Sequence, residues 1–175
     1  GRNVKMVLEW YMREKEASGR SLEEMVVEML AGRDMTVVTA ESCTGGLIAG
    51  TLINVPGASE VLNESYVTYS NEAKERLVNV NPETLRRYGA VSEETAREMA
   101  EGAARAAGAD AALSSTGVAG PGGGTMEKPV GLVYVGCYVN GKTAVKECRF
   151  HGSRMENRLH TVEAALELLI EMLNG

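Results

Sequence analysis

In the segment Thr39-Ala40-Glu41-Ser42-Cys43-Thr44-Gly45-Gly46, an apolar run that begins at Met35 gives way to hydroxyl groups and paired glycines before a second apolar segment starts. That order describes a strand feeding a helix N-terminus through a polar turn, where backbone N–H groups lie unpaired and the positive end of the helix dipole points outward. Such a turn can hold an anion or present a nucleophilic hydroxyl, which singles out Ser42. The same residues also suit plain capping, with Ser42 or Thr44 closing a helix over Gly46 to Ile53. Lys74 offers Ser42 a chemical partner. It falls in the first turn of a helix starting at Ser70 or Asn71, where the dipole disfavours a second cation, and partial burial there would lower its pKa toward that of a general base. Neutral lysine can activate a serine hydroxyl in place of histidine. A solvated Lys74 paired with Glu72 or Glu75 is the alternative.

Two further groups could complete such a site. The run from Gly117 to Gly124 is too rich in glycine for helix or sheet, and it follows a buried strand that ends at Thr116 and Gly117. The glycines after Thr116 and Gly117 let backbone N–H groups approach a ligand closely, as an oxyanion hole or phosphate cradle requires; a mobile surface loop would have the same composition. Neither GxGxxG nor GxxxxGK[ST] is present, which discounts a dinucleotide fold and a nucleoside triphosphatase. Arg154 and Arg158 share one face near the start of the last helix, again against the dipole, where an anion such as phosphate would relieve them. Pairing with Glu156 or Glu163 would do so equally. His151 and His160 have no metal-ligand spacing, and Cys43, Cys137 and Cys148 form no CxxC pair.

The elements that must position these residues alternate in the manner of an α/β domain. Val4, Val7, Leu8, Tyr11 and Met12 recur at helical spacing, and Ser21 with Glu24 makes a capping box for a second helix to about Ala31. Strands are expected over Met35–Ala40, Ser65–Tyr69, Ala111–Ser115, Val130–Val139 and Lys142–Phe150, the last two joined by the hairpin signal Asn140-Gly141. Helices are expected from Ser70 or Asn71, from Asn81-Pro82 to Gly89, over Glu93–Ala107 behind the cap Ser92, and over Met155–Leu173. A helical extension over residues 1–32 would precede one domain over residues 33–175, packing on it or on a second subunit. The hairpin makes the sheet mixed, and the loops after the first three strands would share one edge, where open α/β sheets bind ligands.

Length and charge narrow the function classes. The chain has 175 residues and a formal charge of −6 without a basic run, which argues against nucleic acid and for small-molecule or protein partners. Cysteine usage fits a reducing cytosol, and no apolar stretch reaches membrane-spanning length. A soluble, cytoplasmic protein is expected, with no metal site and no membrane partner.

Taken in order, Thr39 to Gly46, Tyr69-Ser70-Asn71-Glu72-Ala73-Lys74, Gly89-Ala90-Val91-Ser92, Thr116 to Gly124 and Lys128-Pro129-Val130-Gly131 resemble the C-terminal domain family of the competence/damage-inducible protein CinA, from about Leu22 to the C-terminus. The resemblance implies a three-layer α/β/α sandwich with a mixed, mostly parallel sheet. It also implies a serine–lysine amidohydrolase needing no cofactor or metal, since members include nicotinamide mononucleotide deamidase, which forms nicotinic acid mononucleotide and ammonia. By that resemblance Ser42 is the nucleophile, Lys74 the base, and Tyr69 an active-site residue orienting Lys74 or the ring. Cys43, Thr44, Gly45, Gly46, Asn71, Thr116, Gly117, Arg154 and Arg158 are the substrate-binding set it suggests. Many members carry a large N-terminal domain linked to ADP-ribose pyrophosphatase activity; it is absent from this sequence, and that activity is expected to be absent too. A homo-oligomer is expected. Some members lack deamidase activity, so a nucleotide-binding module of low turnover, or an interaction protein in competence or recombination, is the other reading.

Overall fold

A computed structural model of the chain describes residues 19–175 and, before them, Glu9 alone. The expected helix through Val4 to Met12 lies outside the described residues. The first described helix, α1 (Leu22–Gly32), starts where Ser21 Oγ accepts the Glu24 N–H at 3.2 Å. It buries Val26, Val27 and Leu30 in the main apolar cluster. The part of the expected extension that forms α1 therefore packs on the body of the protein. The chain continues through β1 (Val37–Glu41), α2 (Leu47–Leu52), a 3-10 turn (Ala58–Glu60), β2 (Tyr66–Val67), α3 (Asn71–Val78), α4 (Pro82–Tyr88) and α5 (Glu93–Ala107). It closes with β3 (Ala111–Gly117), β4 (Leu132–Val139), β5 (Lys142–Arg149) and α6 (Arg154–Asn174).

The five strands form one sheet in the order β2-β1-β3-β4-β5. Side chains alternate across it with the strand period. Val37, Leu113, Val133, Val135 and Cys137 join α1, α2 and α6 on one face, whereas Val38, Ala40 and Ala112 join α3, α4 and α5 on the other. That is the expected α/β/α sandwich. One detail needs correcting: β1 pairs in parallel with β2 and β3, but β3–β4 and β4–β5 are antiparallel, so the sheet is mixed without being mostly parallel. The reason is physical, since no crossover helix separates β3 from β4 and the chain must return in the opposite direction. The β4–β5 hairpin turns through Asn140 (φ 44°) and Gly141 (φ 90°), the left-handed pair that a tight two-residue turn demands.

Because β1, β2 and β3 run parallel, their carboxyl ends lie along one edge, and the segments after them form the rim of the molecule there. Two close approaches fix this frame. Gly102 lets α5 meet α3, since a Cβ would stand 1.7 Å from Val78 O, and Gly117 lets β3 pass β4, where a Cβ would stand 2.6 Å from Val133 Cγ2. Among the described residues no helix is long and apolar enough to cross a membrane.

Candidate active site

The Ser42 turn is built from the inside by Glu41. The last residue of β1 points to the α2 side of the sheet, is fully buried, and needs several donors to compensate a carboxylate in that position. It accepts from Ile48 N at 2.7 Å, Ala49 N at 3.0 Å, Thr39 Oγ1 at 2.8 Å and Thr44 Oγ1 at 2.7 Å. The start of α2 is therefore occupied by a carboxylate of the protein itself. This overturns the expectation that Ser42 or Thr44 caps that helix or that its N-terminus lies open to an anion: the N-cap is Gly46, with φ 103° and no side-chain cap bond. Thr44 is fully buried and bonded to Glu41 and Ser115, so its side chain is structural.

Lys74 approaches Ser42 from the opposite face. Ser70 caps α3 by accepting the Ala73 N–H at 3.0 Å, which sets Lys74 one turn into the helix with its side chain beneath the sheet edge. Lys74 is only 2 % exposed, and its Nζ donates to Thr68 O at 2.9 Å and to Ser42 Oγ at 3.1 Å. Burial holds its pKa below the ordinary lysine value, because the ammonium has lost water. In the neutral amine the Thr68 carbonyl can keep one N–H while the lone pair faces Ser42, whose hydroxyl then becomes the donor. Cys43, next to the serine, has its thiol pushed up to about 11, chiefly by burial, which keeps it protonated at neutral pH.

A cavity of about 360 Å³ opens beside this pair, lined by Ser42, Cys43, Tyr69, Gly117 to Gly120, Gly122, Gly123 and Arg154. Tyr69 is 64 % exposed, and its hydroxyl accepts from Arg154 Nη2 at 3.3 Å; its polar contact is thus with Arg154, while Lys74 is steered by the Thr68 carbonyl. Arg154 also donates through Nη1 to Gly120 O at 2.8 Å. The glycine loop is anchored at its root by Asn157, which sequence reasoning missed: its buried amide donates to Ala119 O at 3.0 Å and accepts Gly152 N at 2.9 Å. The Ser153–Glu156 capping box in front of Asn157 fixes where α6 begins and was legible as a signal.

The remaining expected residues divide. Gly117, the last residue of β3, lines the cavity, but Thr116 before it spends its hydroxyl on Ala90 O at 2.7 Å. Asn71 is exposed at the start of α3 and does not line the cavity, nor do Gly45 and Gly46. Arg158 turns away from it, donating from Nε to Cys43 O at 2.9 Å and from Nη2 to Thr44 O at 3.1 Å. Of the two arginines expected to meet an anion, one faces the cavity and the other grips the turn behind it. Cys43 N–H, in the residue after Ser42, donates to no main-chain carbonyl among the described residues and faces its own thiol. Among the described residues no cluster of three or more potential metal ligands occurs.

Comparison with known proteins places the chain in a family. The sequence profile described as the CinA C-terminal domain matches residues 19–173. A Clostridium botulinum (strain ATCC 19397 / Type A) protein, provisionally named competence-damage inducible protein, is 57% identical over 149 residues, which are 85% of this chain and 36% of that one. A Clostridium beijerinckii relative with the same name is 53% identical over 153 residues, 87% of this chain and 37% of its own. The chain thus spans little more than a third of these curated relatives. Among solved structures, competence/damage inducible protein CihA from Agrobacterium tumefaciens superposes with a TM-score of 0.85 at 46% identity, over 88% of this chain and 94% of that one. The competence damage-inducible protein A (ComA) from Klebsiella pneumoniae gives 0.84 at 37% identity, over 87% and 95%.

Proposed function

Since the chain belongs to the CinA C-terminal domain family, we propose that it is a serine–lysine amidohydrolase that converts nicotinamide mononucleotide to nicotinic acid mononucleotide and ammonia. The observation that carries this reading is the buried Lys74 Nζ at 3.1 Å from Ser42 Oγ on the wall of a cavity.

In the proposed reaction neutral Lys74 accepts the Ser42 proton as Oγ attacks the carboxamide carbon. The carbonyl oxygen gains the charge and is met by Cys43 N–H, a donor in the position that follows the nucleophile in other hydrolases; one such donor contributes about 3 kcal/mol to the barrier. When the tetrahedral adduct collapses, the Lys74 ammonium returns the proton to the leaving nitrogen and ammonia departs, leaving the acyl group on Ser42. Lys74, neutral again, then takes a proton from water as it attacks the ester, and gives that proton to Ser42 Oγ as the acid is released. Lys74 can alternate between these states because burial disfavours its charged form.

Substrate selection follows from the walls. The exposed Tyr69 ring offers a face to a cationic pyridinium, and Arg154 is the cation lining the cavity that can meet a phosphate. The glycine loop brings main chain close without a side chain in between. The test is product analysis after incubation with nicotinamide mononucleotide: equal amounts of ammonia and nicotinic acid mononucleotide are expected. Unchanged nucleotide with demonstrable binding would overturn the reading in favour of a binding module.

A further inference from the structure

Arg158 bonds to the two carbonyls that follow the nucleophile, Cys43 O and Thr44 O. The guanidinium is planar with its donors in a fixed fork, so the pair of bonds sets the orientation of the turn as well as its place. The peptide from Thr44 to Gly45 is held at both ends, for its N–H donates to Ser42 O at 3.1 Å. Ser42 O is in turn the carbonyl of the peptide whose N–H belongs to Cys43. A planar trans peptide sends N–H and C=O in opposite directions. The bonds thus run as one series: Arg158 to Thr44 O, Gly45 N–H to Ser42 O, and then the Cys43 N–H, which meets its own thiol and donates to no main-chain carbonyl among the described residues. Each carbonyl polarised by a donor makes the N–H of the same peptide a stronger donor.

We propose that Arg158 is a positioning residue for the oxyanion site, which fixes the turn behind Ser42 and transmits its positive charge through the Thr44–Gly45 and Ser42–Cys43 peptides to the Cys43 N–H. It offsets the buried Glu41 carboxylate at the other side of the turn, and the two act on the Cys43 thiol in opposite directions, Arg158 lowering its pKa and Glu41 raising it. A phosphate ligand would be used in the ground state and transition state alike, whereas a group polarising the oxyanion donor counts chiefly as the oxygen becomes charged. The inference rests on Ser42 being the nucleophile of the proposed amidohydrolase.

The experiment compares wild type, Arg158→Lys and Arg158→Ala by steady-state turnover of nicotinamide mononucleotide and by the rate at which a fluorophosphonate probe labels Ser42, after thermal melts establish that each variant folds. The probe develops charge on its phosphoryl oxygen at the same turn and carries no nucleotide phosphate. The expected result is a kcat lowered about 10- to 100-fold with KM within about twofold, and a parallel loss of labelling rate. Arg158→Lys should keep the charge without the fork and recover only part of the loss. Guanidinium ion at millimolar concentration should partly restore Arg158→Ala. A raised KM with unchanged kcat and unchanged labelling would overturn the proposal and make Arg158 a substrate ligand. If wild type is labelled at Ser42 but releases no ammonia, the substrate assignment fails while the labelling rates still decide the role of Arg158. A wild type that neither labels nor turns over overturns both.

Discussion

The Ser42 turn and the glycine loop leave the sheet side by side, from the carboxyl ends of the adjacent parallel strands β1 and β3. Both are rich in glycine and both line the cavity. The turn is gripped by charge: Glu41 takes four donors on its buried side and Arg158 takes two carbonyls from α6. The glycine loop is held at its roots, by Asn157 and Arg154 on Ala119 O and Gly120 O and by backbone bonds at Val118 and Gly131, and by a local turn in which Thr125 N–H donates to Lys128 O at 2.8 Å, while residues 121–124 between them stand exposed. The contrast is one of division of labour. The nucleophile sits where misplacement is most costly to the reaction, and the loop keeps its middle free to meet a ligand.

The sharpest way to break this contrast is at the base that serves the turn. Lys74→Met should lower kcat by about 10³-fold or more, since the dyad acts as a unit, while raising the melting temperature. The sign follows from linkage: the folded-state pKa of Lys74 lies below that of the unfolded chain, so burial of its charge destabilises the protein most at low pH. The penalty shrinks as pH rises from the folded to the unfolded pKa. The gain from methionine should therefore be largest below the folded pKa and fade toward alkaline pH, as melts across a pH series would reveal. Wild-type kcat/KM should rise with pH through the folded pKa of Lys74, reaching half its plateau below the ordinary lysine value.

Within the turn, Glu41→Gln replaces an acceptor for four donors by a group that is itself half donor, and should cost about 2–4 kcal/mol in urea unfolding. At the root of the loop, Asn157→Ala should cost about 1–3 kcal/mol and raise KM more than it lowers kcat, because the loop loses its anchor and the dyad does not. At the loop's middle, Gly122→Ala should change stability by less than about 0.5 kcal/mol, for a Cβ there meets nothing within 4 Å. A large loss at Gly122 with a small one at Glu41 would reverse the comparison.

Much of the architecture was legible because local signals and global packing agree. Ser21, Ser70, Asn81 and Ser92 cap their helices as the sequence implied, and Asn140-Gly141 turns its hairpin. The direction of β4 went unread, although the stretch from Val118 to Gly131 holds no crossover helix and so requires an antiparallel return. At the site, the sequence offered residue types but not the direction of side chains. Glu41 sits inside the quoted motif, yet only its alternation with Val37 and Thr39 sends it toward the start of α2, to bond residues seven and eight positions on. Arg154 and Arg158 share one helix face, but the cavity and the turn take one each, a partition set by the tertiary packing of α6.

The most direct test of the Ser42–Lys74 pair is ammonia release from nicotinamide mononucleotide by wild type, Ser42→Ala and Lys74→Ala, each first verified to be folded and to bind the nucleotide. The account predicts release by wild type and a loss of about 10³-fold or more in both variants. Turnover by Lys74→Ala or Ser42→Ala at a rate close to wild type would contradict it.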